Sequence, residues 1–196
     1  MSRPVTSRLL PGLLLGLGLL SQSGTAMAED TSALVSEARG VVQQFSGTLG
    51  KALKSALETG GPVAAIEVCN LKALGIAEQV GGATGWRVGR TAFKLRNPKN
   101  APDDWEKGVL ISFASRAAAG EDITKVEQTE VVERDGHRTF RFMKAIPTAE
   151  LCVTCHGASL KPEIQARLKE LYPADQATGF AVGDLRGAFA LSKRLD

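Results

Sequence analysis

Histidine is scarce in this 196-residue chain, with two residues, and cysteine little less so, with three. His137 and His156 are the only imidazoles, so any metal ligation through histidine has few solutions. An odd cysteine count excludes a fully paired disulfide framework, and at least one thiol must have another fate. The formal net charge is only +3. No clustered basic face accompanies it, which argues against nucleic acid as a partner. Beyond the amino terminus no apolar run approaches the roughly 20 residues of a bilayer span. Internal repeats and low-complexity tracts are absent as well, so nothing points to a repeat array.

What is present begins with an export signal. Arg3 and Arg8 give a charged start, residues 9–20 are apolar apart from Pro11 and glycines, and residues 21–28 are small and polar. Ala26-Met27-Ala28 precedes the acidic Glu29-Asp30. This order predicts a secretory signal peptide over residues 1–28, cleaved after about Ala28, and a periplasmic domain over 29–196. The apolar run, about 12 residues, is too short for a membrane anchor. The mature chain, about 168 residues, has the size of one domain and is expected to be soluble, with no membrane span. Its charge falls to about +1 once the two arginines are removed.

Residues 32–59 carry Leu34, Ala38, Val41, Phe45, Leu49, Leu53 and Leu57 at three- and four-residue spacing. That is the stripe of a long amphipathic helix. Gly60-Gly61-Pro62 predicts its stop and the start of a second helix over 63–80, ended by Gly81-Gly82. Residues 86–93 read as a short strand and 96–103 as an ordered loop. Asp103 or Asp104 can cap a helix running to about Ala119. Two strands follow, 124–133 and 137–145, joined by the Arg134-Asp135-Gly136 turn. A short helix is expected over 162–171, then closing strands at 179–182 and 186–191. Helices first and a mainly antiparallel sheet afterwards predict an α+β domain.

Cys152-Val153-Thr154-Cys155-His156 matches C-x-x-C-H, the attachment pattern of c-type haem. One helical turn sets the two thiols at a spacing suited to the two haem vinyl groups, and the next residue supplies an imidazole for the iron. The export signal meets the compartment requirement independently. The same residues could instead form a structural disulfide or a thioredoxin-like redox pair on a strand-to-helix turn. A zinc site recruiting Cys69 and a histidine is a further alternative. The combination of motif and export favours one covalently attached haem c.

For the opposite face of the iron the mature chain offers Met143, His137 and Cys69. Met143 would give an ordinary electron-transfer cytochrome, but it lies in an apolar strand where methionine is commonly core. His137 sits beside a hairpin turn. Cys69 lies among Ile66 and Val68, as a buried small hydrophobe would. Position and composition do not choose among them. The odd cysteine count favours Cys69, whose thiolate would lower the iron potential.

Four ordered segments carry a family resemblance: 65–69 (AIEVC), 96–106 (RNPKNAPDDWE), 152–157 (CVTCHG), and 172–180 (YPADQATGF) with 183–187 (GDLRG). On these the chain resembles the single-haem c-type proteins with a PAS-like sensor fold, of cyanobacterial and proteobacterial type. The resemblance implies a five-stranded antiparallel PAS-like sheet with flanking helices and a long N-terminal helix. It implies His156 and Cys69 as axial ligands. Arg96 and Arg186 are candidates for propionate contacts, with surface or turn-supporting roles as the alternative, and Tyr172 for lining the pocket or simply packing.

Two functions follow as expectations. One is a haem-based redox or gas sensor module, with a small diatomic gas or a redox protein as partner. The other is a soluble low-potential electron carrier. Catalysis would need an open coordination site and acid–base groups; Asp103, Asp104 and Glu106 read instead as a helix start.

Overall fold

The computed structural model of the protein describes residue 1 and residues 31–196. The predicted signal peptide, Met1 aside, lies outside the described residues. The long helix is present as α1, Ser32–Leu71, and its stripe buries Ala38, Val41, Val42, Phe45 and Leu49. Gly61 breaks the helical path at φ 70°, ψ −170°, a conformation open to glycine, and Pro62 restarts it. The stop expected at 60–62 is therefore a kink inside a longer element. A second break comes at Lys72, before α2, Ala73–Thr84. Lys72 stays right-handed at φ −103°, ψ −26°, so no glycine or proline marks it in the sequence. Gly81 and Gly82 do not end α2. A Cβ at Gly81 would stand 2.6 Å from the Trp86 carbonyl oxygen, so the residue serves a close backbone approach. The helix ends at Gly85, in the left-handed region.

Four antiparallel strands follow: β1 Arg87–Thr91, β2 Glu127–Arg134, β3 His137–Pro147 and β4 Leu185–Arg194. Their spatial order is β1-β4-β3-β2. The hairpin between β2 and β3 turns at Asp135-Gly136, both with positive φ, and sets Arg134 opposite His137. Helix α3, Asp104–Ala118, precedes β2, and Asp103 and Glu106 close a reciprocal capping box at its start. Between β3 and β4 come α4, Glu150–His156, and α5, Pro162–Leu171. Single 3-10 turns lie at Pro98–Asn100 and Ile123–Lys125.

The sheet is covered on both faces. Phe140, Phe142 and Leu191 pack with α1, α2 and Trp86. Met143, Ala145 and Ala188 point the other way, onto Val109, Leu110 and Phe113 of α3. A third cluster, Ile66 with Ile164, Leu168 and Tyr172, ties α5 to the part of α1 beyond the kink.

The α+β class is as expected, but the described residues hold four strands, not five. Residues 179–182 form no strand. Their backbone is engaged elsewhere: Gly179 N–H donates to the Gly157 carbonyl at 3.0 Å and Phe180 N–H to the His156 carbonyl at 2.9 Å. Gly183 N–H reaches the Thr148 carbonyl at 2.8 Å. The segment is a strap tied to the two ends of α4, so it cannot also serve a sheet ladder. No helix of the described residues is long and apolar enough to cross a membrane.

Candidate functional site

A cavity of about 240 Å³ lies between α1, α2, β1 and α4. Cys152, Cys155 and His156 enter it from α4, and Cys69 enters it from α1 beyond the kink. All three thiols are free and partly buried. The kink at Gly61 has a direct consequence here. It divides α1 into a length that packs on the sheet and a length that brings Ile66 and Cys69 to the cavity. Past Leu49, the α1 stripe turns from core to lining: Leu53 and Leu57 are only half-buried by protein, and both face the cavity.

His156 is held in one tautomer. Its Nδ1 lies 2.6 Å from the Ala177 carbonyl oxygen. A carbonyl only accepts, so Nδ1 carries the proton and Nε2 keeps its lone pair. Burial, with Arg96, Arg186 and Arg90 nearby, pushes the imidazole down to about 3, against the opposing pull of the Ala177 bond. The ring is therefore neutral at neutral pH, the form that ligates iron. Phe180 packs edge-on to it, with ring centroids 6.3 Å apart.

Ala177 is itself fixed. Its N–H donates to Asp175 Oδ1 at 2.8 Å. Arg96 Nη2 donates to its carbonyl at 3.2 Å and to the Cys155 carbonyl at 2.6 Å. Arg96 also pairs with Asp175, Nη2 to Oδ2 at 3.0 Å, and both side chains are 10% exposed.

Three arginines border the cavity, and they differ in how far they are engaged. Arg96 is committed to Asp175 and two carbonyls. Arg186 donates to the Lys94 carbonyl at 3.2 Å, lies over the Phe180 ring and has no carboxylate ion pair among the described residues. Burial pushes it down to about 10. The Arg90 side chain has neither a hydrogen bond nor an ion pair among the described residues; its guanidinium stands 5.8 Å from the Phe45 ring centroid. Burial lowers Arg90 as well, opposed by Cys69 and Tyr172. Burial pushes the Cys69 thiol up, and Arg90, Arg96 and Arg186 oppose it.

Each residue singled out from sequence thus has a place. Cys69, Cys152, Cys155, His156, Arg96, Arg186 and Tyr172 all line the cavity. Tyr172 both lines it and packs on Ile66, Ile164 and Leu168. Of the other ligand candidates, Met143 is fully buried against α3. His137 is exposed on the hairpin, 3.3 Å from Asp196. Neither lines the cavity. Arg90, Asp175 and Ala177 had no assigned role. Arg90 was legible in principle: in a strand it shares a face with Val88, which packs on the core, and so places a charge on an inward face.

The donor set suits a large planar, mostly apolar, doubly anionic group with a central metal. It combines two thiols on one helical turn, a neutral imidazole, a third thiol on another helix, apolar walls and two arginines without carboxylate partners. It suits a bare metal ion poorly, since among the described residues no three of His, Cys, Asp and Glu are grouped closely enough to hold one ion. A thioredoxin-like setting is not present either, because β3 and β4, the strands flanking α4, pair antiparallel.

The Tll0287-like family pattern matches residues 21–193, and the chain belongs to that family. Among solved structures it is similar to the crystal structure of the cyanobacterial heme-protein Tll0287, with 26% sequence identity and a TM-score of 0.58. That match covers 86% of this chain and 98% of the other. No curated protein matches the sequence.

Proposed function

We propose that the protein is a periplasmic monohaem c-type cytochrome that works as a haem-based redox or gas sensor module. The observation that carries this reading is the convergence of Cys152, Cys155, His156 and Cys69 on one largely apolar cavity. Tll0287, a cyanobacterial protein of solved structure that the chain resembles, is a heme-protein, which supports the choice of group. Cys152 and Cys155 would hold the haem by thioether bonds, and His156 and Cys69 would ligate its iron. Arg90 and Arg186, which have no carboxylate partner, would take the propionates, with Arg96 Nη1 as a further donor beside the Nε and Nη2 groups already engaged. Bound haem supplies a redox-active iron whose potential follows its axial ligands.

The chain's own part is to bind, orient and exclude water. The His156 tautomer is set by Ala177. Ala65, Ile66 and Leu57 are among the apolar residues that line the cavity with Cys69. Asp103 and Glu106 close the α3 capping box and do not line the cavity.

The test is the absorption spectrum of protein matured with a c-type haem assembly system, oxidised and reduced, for wild type and Cys69→Ala. The substitution is expected to abolish a thiolate-type ferric spectrum, and the ferrous wild type to bind CO or NO. A ferrous form that binds neither gas and keeps both axial ligands would make the protein a low-potential electron carrier instead. An unchanged Cys69→Ala spectrum would remove Cys69 from the iron.

A further inference from the structure

The segment that leads into the strap, residues 175–178, is tied down as well. Its Ala177 peptide is gripped at both ends: Asp175 Oδ1 accepts from the N–H at 2.8 Å, and Arg96 donates to the carbonyl at 3.2 Å. The same carbonyl accepts from His156 Nδ1 at 2.6 Å. Arg96 and Asp175 are themselves paired, Nε to Oδ2 at 3.2 Å and Nη2 to Oδ2 at 3.0 Å. Arg96 Nη2 also reaches the carbonyl of Cys155, the residue before His156. One guanidinium thus ties the acceptor of the imidazole proton to the backbone that carries the imidazole. Gln176 N–H on the Leu95 carbonyl at 2.7 Å holds the segment to the arginine's own loop.

We propose that the Arg96–Asp175 pair is a positioning device for His156, acting through the Ala177 peptide. The inference rests on the reading of His156 as an iron ligand only for its purpose, since the clamp itself is made wholly of protein atoms. An arginine fork can serve a carboxylate and two carbonyls at once because its N–H groups are fixed in one plane. A lysine at position 96 would carry the same charge without that fork. The pair is 10% exposed on each side, so solvent screens it little. The Nδ1–H bond of an iron-ligating histidine fixes its tautomer and ring orientation. The clamp therefore sets how firmly the Nε2 lone pair is aimed.

The test is the solvent-exchange rate of the His156 Nδ1 proton, followed by NMR on the full-length holoprotein in its ferrous state, for wild type, Arg96→Lys, Arg96→Gln and Asp175→Asn. Loss of the clamp is expected to speed exchange about 5-fold or more in all three variants, the factor that a net hydrogen bond of about 1 kcal/mol corresponds to. Arg96→Gln and Asp175→Asn change the local charge in opposite senses. A simple field effect would move their rates in opposite directions and leave Arg96→Lys like wild type, and either result would overturn the proposal. Asp175→Asn keeps an oxygen for the Ala177 N–H and so stands in if the Arg96 variants do not fold. Should the chain carry no covalent haem, the reading of the preceding subsection fails. The same exchange rates on the haem-free full chain then still decide the clamp.

Discussion

Replacing Arg90 by methionine is expected to stabilise the haem-free chain and to destabilise the haem-loaded one. The guanidinium is partly buried with no hydrogen bond or ion pair among the described residues, and its one named contact is the Phe45 ring. Taking such a charge out of water costs several kcal/mol in a dry interior. The cavity beside it can admit water when nothing else is there, so only about 1–2 kcal/mol of that cost applies to the haem-free form. Methionine keeps the apolar stem and its packing, and the lost contact with Phe45 removes about 0.5 kcal/mol. The net gain is about 1 kcal/mol, or roughly 2–4 °C in Tm for a domain of this size. If Arg90 holds a propionate, as proposed, the same substitution in the haem-loaded chain removes a charge-assisted bond worth about 1.5–3 kcal/mol. Thermal unfolding of Arg90→Met in the wild-type background and in a haem-free Cys152→Ala/Cys155→Ala background measures both. Equal destabilisation in the two backgrounds would refute the reasoning, because Arg90 would then be supporting the fold and not waiting for an anion.

Two further substitutions bear on ligand choice and one on the core. Met143→Leu is expected to leave the ferric and ferrous spectra unchanged and to cost less than about 1.5 kcal/mol in chemical denaturation, because Met143 is packed under α3. A lost or shifted axial band would return it to the iron. His137→Ala should likewise leave the spectra intact, with stability within about 0.5 kcal/mol of wild type, since the ring is exposed on the hairpin. Phe142→Ala is expected to lower stability by about 3–5 kcal/mol in urea, because the side chain is fully buried between the sheet and α1–α2. A loss under 1 kcal/mol would mean that this cluster does not hold the sheet to its helices.

The parts of the fold that could be read in advance are those with local signals. The α1 stripe repeats every three or four residues, Asp135-Gly136 demands positive φ, and Asp103 with Glu106 spells out a capping box. Other helix boundaries carry no such signal, or carry one that serves another purpose. Lys72 turns the chain without leaving the right-handed region, and the Gly81-Gly82 pair serves contact with the Trp86 backbone instead of a helix end. Residues 179–182 are a short apolar run that reads as a strand, but the N–H groups of Gly179 and Phe180 are captured by the carbonyls of Gly157 and His156. No one-dimensional pattern announces that competition. For the site, C-x-x-C-H and the odd thiol pointed to four of the converging side chains. The division of labour among the arginines was not legible, because Arg96, Arg90 and Arg186 differ only in partners that come from distant segments, such as Asp175.

The central claim is that Cys152 and Cys155 hold one haem covalently. Its most direct test is the intact mass of the exported, denatured protein produced with a c-type haem assembly system, beside that of Cys152→Ala/Cys155→Ala. The account predicts a wild-type mass equal to the mature chain plus one haem, with the haem-specific absorption surviving denaturation, and a variant mass equal to the bare chain. A wild-type protein that loses all haem on denaturation, or a variant that keeps it, would contradict the account.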